Sequence, residues 1–450
     1  MTTLRGRSRF VTVSVLVSVA LSLACATPAT AAKRKLRVWL PAEYTWRQMA
    51  TKFEKENPGV SVDVVYGDMD KLYTMITAGL MPDVWGPWET PGITADVNRN
   101  WALDLTPYIA RDGKAMNMGD FFPGMMRQFK VRGKQYSLPI FYYVDWFFYD
   151  AQKYSQAGLP PPPTDPKDKS WSWERMVANA QKVAKYNTQG QLSQAGVEFG
   201  RGFGNWLRLW GVHLYDQEAL KTSIPQAIDV SSPAVVEALT KAWELIYRHK
   251  VTKPAISYFA GKQAASSMEA GWKIFEIIPL KNFKWALAPL PYGSTNSGTL
   301  WPDGLRISRI CKDKELAWKF VKFLCAPENM RMIISDPKSS RRGSGVARKS
   351  VFSETMAQDI GRASGMNPAD VIQIFEGADD VGVVKEQETI CLDEDLTGRY
   401  LQPILLDLWA NKMSPKEAAT RLQNQANKAL PVLFQRWIRN MKFTGADKVK

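Results

Sequence analysis

The N-terminal part of the chain switches repeatedly between the hydrophobic periods of a strand and of a helix. Strands are predicted at three short segments: residues 36–40, 60–66 and 83–85. Helices are predicted between them: residues 46–56, with apolar side chains at i, i+3, i+4 and i+7, and residues 71–78. Thr45 is the expected N-cap of the first helix. This β-α-β-α-β order implies a parallel sheet with right-handed crossovers, and therefore an α/β fold.

The carboxyl ends of these strands are where a ligand is expected, because open parallel sheets bind ligands there. Tyr44 follows the first strand, while Trp88 and Glu89 follow the third. An aromatic ring can stack on a sugar, and a carboxylate can accept hydrogen bonds from its hydroxyl groups. Trp85 lies inside the third strand and is expected in the core; for Trp88, packing on its own loop is the alternative. No glycine-rich phosphate loop follows the first strand, so a dinucleotide is not favoured.

Residues 1–31 have the pattern of an export signal. Three arginines precede a largely apolar run at residues 10–24, and residues 29–31 (ATA) match an A-x-A cleavage site. The run is shorter than the about 20 residues that a membrane span needs. We therefore expect a secreted, periplasmic protein whose mature chain begins at Ala32. Lipidation at Cys25 is the alternative.

Length and charge refine this picture. A chain of 450 residues, 45% of them hydrophobic, can bury a sizeable core and is expected to form two domains. Removal of the signal takes away three arginines and no acidic residue, which lowers the formal net charge from +15 to +12. The basic residues are scattered, which favours a soluble basic surface, with an anionic ligand as the alternative. A nucleic-acid partner is not expected.

The cysteines and histidines leave little room for metal or disulfide chemistry. The mature chain contains Cys311, Cys325 and Cys391. The first two flank a predicted helix at residues 316–324, whose length holds them too far apart for a disulfide, so any bridge must use Cys391. The two histidines are far apart in the sequence and no metal-ligand spacing is present. Neither a metal site nor a cofactor is expected.

Several long segments of the chain carry a resemblance to one family. They are residues 49–66 (MATKFEKENPGVSVDVVY), 133–159 (GKQYSLPIFYYVDWFFYDAQKYSQAGL), 171–185 (WSWERMVANAQKVAK), 261–272 (GKQAASSMEAGW), 314–330 (KELAWKFVKFLCAPENM) and 414–430 (SPKEAATRLQNQANKAL). In order and spacing they resemble extracellular solute-binding proteins, family 1, of ABC importers, which include binders of maltose, oligosaccharides and glycerol 3-phosphate. The resemblance covers nearly the whole mature chain.

The resemblance implies a periplasmic-binding-protein fold, in which two lobes, each a mainly parallel sheet flanked by helices, are joined by hinge crossings. The N-terminal lobe is expected at residues 33–148 plus 305–335, and the C-terminal lobe at residues 149–300 plus 336–450. The continuous apolar and aromatic stretch at residues 142–149 supports the first crossing independently, and a new helix with Ser172 as its N-cap is expected after it. The implied function is capture of a sugar or oligosaccharide by a monomer that delivers it to an ABC permease without catalysis.

Further ligand-binding residues are implied by positions that match the family. They are Tyr143 and Asp145 on the first crossing, Trp272 at the end of the segment 261–272, Trp301 and Asp303 on the second crossing, and Arg341 in a later loop. Residues two apart on a strand point to the same face, so Tyr143 and Asp145 are expected together. A structural hydrogen bond is the alternative role for Asp145, and a solvated surface position is the alternative for Arg341.

Three other functions remain open at this point. The ligand could be anionic, such as a uronate oligosaccharide or a glycerophosphodiester. A secreted carbohydrate-active enzyme would use acid candidates such as Glu89, Asp145, Glu269 and Asp303, but no motif fixes two of them around a scissile bond. A sensory protein could use the same fold.

Overall fold

The structure is a computed structural model that describes most of the chain. The described residues are 33–40, 43–86, 92–198, 207–215, 225, 227–254, 263–280, 284–339, 344–384 and 395–443. Several sequence predictions lie outside them: the export signal with Cys25, the site residues Trp88, Glu89 and Arg341, and the thiol of Cys391.

The strands of the described part are numbered in chain order. Their bounds are β1 (Arg34–Trp39), β2 (Val60–Val65), β3 (Val84–Trp85), β4 (Lys130–Val131), β5 (Lys134–Gln135), β6 (Leu138–Asp150), β7 (Lys185–Tyr186), β8 (Leu192–Gln194), β9 (Ser266–Ala270), β10 (Trp285–Ala288), β11 (Thr299–Ile307) and β12 (Val383–Val384).

The helices of the described part are named by their bounds. They are Glu43–Glu56, Met69–Thr77, Ile93–Asn98, Thr106–Asp112, Pro123–Gln128, Ala151–Gln156, Trp173–Val183, Pro233–Tyr247, Ile274–Ile277, Lys314–Leu324, Pro327–Ser335, Lys349–Glu354, Met356–Ser364, Pro368–Val381, Gln402–Trp409 and Pro415–Phe443. Short 3₁₀ turns occur at Met118–Asp120, Leu207–Trp210 and Gly271–Lys273, and a π-helical segment at Asp395–Leu401.

One mixed sheet of eight strands organises the molecule. Its order is β10-β6-β11-β3-β1-β2, with β9 paired to β6 and β12 paired to β11. β1 runs parallel to both β2 and β3, which confirms the predicted β-α-β-α-β unit. β6 runs antiparallel to β9, β10 and β11, and β11 runs antiparallel to β3. β6 therefore has the direction of the N-terminal strands, and its three neighbours run the opposite way.

The start of the first helix differs from the prediction. The helix begins at Glu43, which places Thr45 within its first turn rather than at the N-cap. The Thr45 hydroxyl lies 3.0 Å from the Ser339 hydroxyl and is buried there. The Thr45 hydroxyl, which was expected to cap the helix, therefore contacts a residue that is distant in the sequence.

Other local predictions are confirmed. Ser172 caps the helix Trp173–Val183, because its side chain accepts a hydrogen bond from the backbone N–H of Arg175 at 3.2 Å. Trp85 is 1% exposed and packs in a small cluster with Trp39 and Trp101. Its ring therefore belongs to the core of the sheet, as expected from its place inside the strand.

Two large hydrophobic cores are present, and β6 contributes to both. Tyr142, Val144 and Trp146 belong to the first core, with β1, β2 and the helix Lys314–Leu324, whereas Phe147 and Tyr149 belong to the second. The second core also contains the helices Trp173–Val183, Pro233–Tyr247 and Pro415–Phe443. Two helix-flanked cores that share strands of one sheet form a two-lobed α/β architecture.

The helix Pro368–Val381 lies where the two parts meet. It contributes Val371, Ile374 and Phe375 to the first core, although its sequence position assigns it to the second lobe. Its Asp379 carboxylate accepts hydrogen bonds from the Gly124 N–H at 2.8 Å and from the Tyr142 hydroxyl at 2.6 Å. The lobe boundaries given above stay predictions.

Cys311 and Cys325 are both buried free thiols. They flank the helix Lys314–Leu324, as predicted. Burial raises the pKa of each thiol to about 12, so both are protonated and unreactive at neutral pH.

A buried ion pair stabilises the N-terminal part of the sheet. Arg306 on β11 contacts Asp96 in the helix Ile93–Asn98, with 2.8 Å between Nε and Oδ2, and the side chains are 1% and 0% exposed. Arg306 also donates to the carbonyl of Gly304 at 3.1 Å. Removing either charge would leave the other buried without its counter-charge. This loss destabilises the fold by far more than the intact pair stabilises it.

We predict that Asp96→Ala lowers the free energy of unfolding by about 3–5 kcal/mol, because Arg306 keeps a buried, uncompensated charge. The matched control is Asp63→Ala, which removes an exposed partner of Arg37 at 3.2 Å. Exposed pairs contribute about 0–1 kcal/mol, so the control should be nearly neutral. Urea denaturation of both variants measures the difference, and equal losses would contradict the assignment.

Candidate ligand-binding site

The two crossing strands bring together four of the predicted site residues. β6 and β11 pair antiparallel, with Tyr143 opposite Trp301. Asp145 follows two residues after Tyr143 on the same strand, opposite Ala270 of β9. The turn Gly271–Lys273, which carries Trp272, begins directly after β9. The candidate site is therefore built on the strands that join the two cores.

Gly271 allows the Trp272 turn to lie directly against β6. A Cβ at this position would meet the Val144 carbonyl oxygen at 2.5 Å and the Tyr143 Cβ at 3.2 Å. Only a glycine permits this approach without displacing the crossing strand. The position of Trp272 relative to Tyr143 thus depends on residue 271 being a glycine.

Both carboxylate oxygens of Asp145 accept hydrogen bonds from β11. One carboxylate oxygen accepts the Thr299 backbone N–H at 2.7 Å, and the other accepts the Trp301 indole N–H at 2.6 Å. The residue is 8% exposed. Desolvation raises the pKa of Asp145 to about 6, although these hydrogen bonds and the nearby Arg208 act in the opposite direction. The structural hydrogen bond considered from the sequence is therefore present.

Arg208 extends this polar network into the second core. It lies in the 3₁₀ turn Leu207–Trp210, is 3% exposed, and donates from Nε to the Thr299 hydroxyl at 3.1 Å. Sequence reasoning missed both Arg208 and Thr299. The signal for Arg208 was a charged residue inside the apolar run LRLW, where an unpaired charge would be expensive to bury.

The other predicted residues differ in their exposure. Tyr143 is 3% exposed, whereas Trp272, Trp301 and Asp303 are half-buried. Trp272 has a cation beside it, because Lys273 Nζ lies 4.8 Å from its ring centre and pairs with Glu276 at 2.8 Å. Trp272 and Trp301 are consequently the aromatic rings of this cluster that keep accessible surface.

Two exposed tyrosines lie at the carboxyl edge of the N-terminal sheet. Tyr44 follows β1 and is 39% exposed, and Tyr66 follows β2 and is 41% exposed. Lys71 Nζ lies 5.3 Å from the Tyr66 ring centre and donates to the Tyr66 carbonyl at 2.7 Å. Tyr66 was not among the predicted site residues, although it ends the predicted strand 60–66 and a ligand was expected at the carboxyl ends of these strands.

A small pocket adjoins Asp145. Its lining includes Pro166, Asn296, Thr299 and Ala378. Within the described ranges, no group of three or more His, Cys, Asp or Glu side chains could hold a metal ion. No helix in that same part of the chain combines the length and apolar character needed to cross a membrane.

A mixed sheet joining two helix-flanked cores, with aromatic and acidic residues on the joining strands, defines a two-lobed α/β binding protein. The family model for the bacterial extracellular solute-binding protein matches residues 39–331, which is more than half of the chain. The chain belongs to this family.

Solved structures support the fold. The sugar-binding protein MalE of Xanthomonas citri has a TM-score of 0.70 at 18% identity, over 90% of this chain and 99% of that one. An ABC substrate-binding protein of Listeria monocytogenes in complex with cycloalternan has a TM-score of 0.66 at 19% identity, over 89% and 99%. The expected two-lobed α/β fold is confirmed.

A sequence relative from Brucella abortus (strain 2308) is named only as a binding protein. It is 24% identical over 332 residues, which are 67% of this chain and 74% of the relative.

We predict that Gly271→Ala destabilises the protein and displaces Trp272, because its methyl group would overlap the Val144 carbonyl. Overpacking of this kind costs roughly 1–3 kcal/mol. The control is Gly119→Ala, whose Cβ would have no atom nearer than the Asn117 side chain at 3.9 Å. Thermal unfolding compares the two variants, and a Gly271→Ala protein as stable as the control would contradict the tight approach.

Proposed function

We propose that this solute-binding protein captures a sugar or oligosaccharide between its lobes and delivers it to an ABC import permease. The observation that carries the proposal is the cluster of Tyr143, Asp145, Trp272 and Trp301 on the strands that join the two cores. Half-buried tryptophans offer flat apolar faces on which a sugar ring can stack. The named ligands of structural neighbours agree, including cycloalternan and, for a Thermotoga maritima protein, maltose.

The proposed mechanism is closure about the crossing strands. The lobes are proposed at residues 33–148 plus 305–335 and 149–300 plus 336–450. A sugar that contacts both lobes binds the closed form better and shifts the population toward it. Trp88 from one lobe and Trp272 from the other would then cover opposite faces of a sugar ring. Tyr44, Glu89, Asp303 and Arg341 are proposed to contact its hydroxyl groups.

The cellular setting follows from the family and the proposed export signal. Removal of residues 1–31 would release a periplasmic monomer, with lipidation at Cys25 as the alternative. The closed lobes would present a surface to the membrane permease. The proposal involves neither catalysis nor a cofactor, and it assigns no role to nucleic acid.

An acidic sugar is a second candidate ligand, favoured by cations beside two accessible aromatic rings. Lys273 lies against Trp272, and Lys71 lies against Tyr66. An ammonium group beside a stacked sugar ring could pair with a uronate carboxylate or a phosphate. Glu276 already pairs with Lys273, which weakens this reading at the first position.

A thermal-shift screen of the mature protein tests the proposal. The panel contains maltose, maltotriose, cycloalternan, tagatose, a diuronate and a glycerophosphodiester. A ligand at a thousandfold excess over its Kd stabilises the folded state by roughly 4 kcal/mol, which raises the melting temperature clearly. We expect at least one neutral oligosaccharide to do so. A larger shift with the uronate would favour the second candidate, and no shift with any sugar would contradict the function.

We predict that Trp272→Ala and Trp88→Ala each weaken sugar binding by about tenfold or more, the scale of a truncated aromatic anchor. Both should leave the melting temperature of the free protein nearly unchanged. Trp85→Ala is the contrasting variant, because this 1%-exposed ring lies in the core and its loss costs roughly 3–5 kcal/mol. Calorimetry with the best sugar of the panel measures Kd. Unchanged affinity of Trp272→Ala would show that the site is elsewhere.

A further inference from the structure

Both oxygens of the Asp145 carboxylate already accept hydrogen bonds from the protein itself. One accepts from the Thr299 N–H at 2.7 Å and the other from the Trp301 indole N–H at 2.6 Å, and the Thr299 hydroxyl is a further hydrogen-bond partner. Only 8% of the residue is exposed. A sugar hydroxyl that replaced either donor would leave that donor unpaired in a largely buried position, which is unfavourable.

The hydrogen bond to Trp301 fixes the plane of a ring that is itself accessible. An indole has a single N–H donor, so a short bond from it to a buried carboxylate restricts both side-chain torsions. Trp301 is half-buried, whereas its acceptor is buried. The accessible part of this pair therefore belongs to the tryptophan, and the buried part is the carboxylate that orients it.

Arg208 is the positively charged residue of the network around Asp145. Its guanidinium is 3% exposed, donates to the Thr299 hydroxyl at 3.1 Å and acts electrostatically to lower the pKa of Asp145. The ionised carboxylate is the form that can accept from both β11 donors at once. Arg208 thus favours the state of Asp145 that holds the ring.

We propose that Asp145, supported by Arg208, is a positioning residue that holds the Trp301 indole as a stacking platform for the sugar and does not itself bind the ligand. This inference rests on the proposed function and assigns the two crossing residues different roles. Trp301 contacts the sugar, and the carboxylate sets its orientation. Specificity at this place then depends on ring stacking rather than on a hydrogen bond from a sugar hydroxyl to Asp145.

A double-mutant cycle separates positioning from direct contact. Asp145→Asn retains one acceptor oxygen and loses the other, so it should weaken binding of the panel's best sugar about tenfold. Trp301→Phe removes the indole N–H. In the Trp301→Phe background, Asp145→Asn should change the Kd by less than about twofold, because the contact through which it acts is already gone. If the tenfold loss persists in that background, Asp145 acts on the sugar directly and the inference is overturned.

The pH dependence of binding provides a second measurement that needs no Asp145 variant. Charged or titratable side chains on the elements around the carboxylate include Tyr143, Arg208, Glu269, Asp303 and Asp379. Asp145 itself has a pKa of about 6, so it gains a proton as the pH falls from 7.5 to 5 and loses acceptor capacity. Wild-type affinity should therefore fall severalfold below pH 6, and the affinity of Trp301→Phe should stay nearly constant.

The outcomes distinguish this inference from the proposed function. Equal pH dependence in the wild type and in Trp301→Phe overturns the positioning role even if Asp145→Asn does not fold. Wild-type protein that binds no sugar of the panel overturns the proposed function, and the inference with it. Sugar binding with independent effects of the two substitutions overturns the inference alone.

Discussion

The antiparallel pairing of β6 with β11 is the constraint on which the rest of the molecule depends. All 13 residues of β6 are buried, and the strand contributes side chains to both hydrophobic cores. Its partner β11 pairs with β6 and, at its far end, with β3 of the N-terminal unit. Relative motion of the two cores must therefore be absorbed along these strands. The contacts of a ligand bound beside these strands therefore depend on the positions of both cores.

Polar groups at the crossing are consistent with this arrangement, because each is hydrogen-bonded to one of the two crossing strands. Asp145 accepts from β11, Arg208 donates to Thr299, and Asp379 accepts from the Tyr142 hydroxyl on the opposite face of β6. Burial without such partners would be costly for every one of these groups. Hydrogen bonds as well as packing therefore fix the arrangement of the two crossing strands. Loss of one of these hydrogen bonds is expected to shift the strands that carry the aromatic rings.

Features that depend on neighbouring residues could be predicted from the sequence. The N-terminal β-α-β-α-β unit, the Ser172 cap and the buried position of Trp85 follow from local periodicity and residue type. Contacts between distant residues could not be predicted in this way. Ser339, which contacts the Thr45 hydroxyl, is 294 positions away in the sequence. Thr299 and Trp301, which donate to Asp145, are 154 and 156 positions away from it. Only the resemblance to a family placed Asp145 and Trp301 in one site, and Trp88, Glu89 and Arg341 stay predictions.

Small-angle X-ray scattering of the mature protein, without sugar and with the best sugar of the panel at saturation, tests the central claim most directly. That claim is that the two lobes close about β6 and β11 on a bound sugar. The account predicts a smaller radius of gyration at unchanged molecular mass when the sugar is bound, because closure makes a two-lobed particle more compact. Tight binding with an unchanged radius of gyration would contradict it.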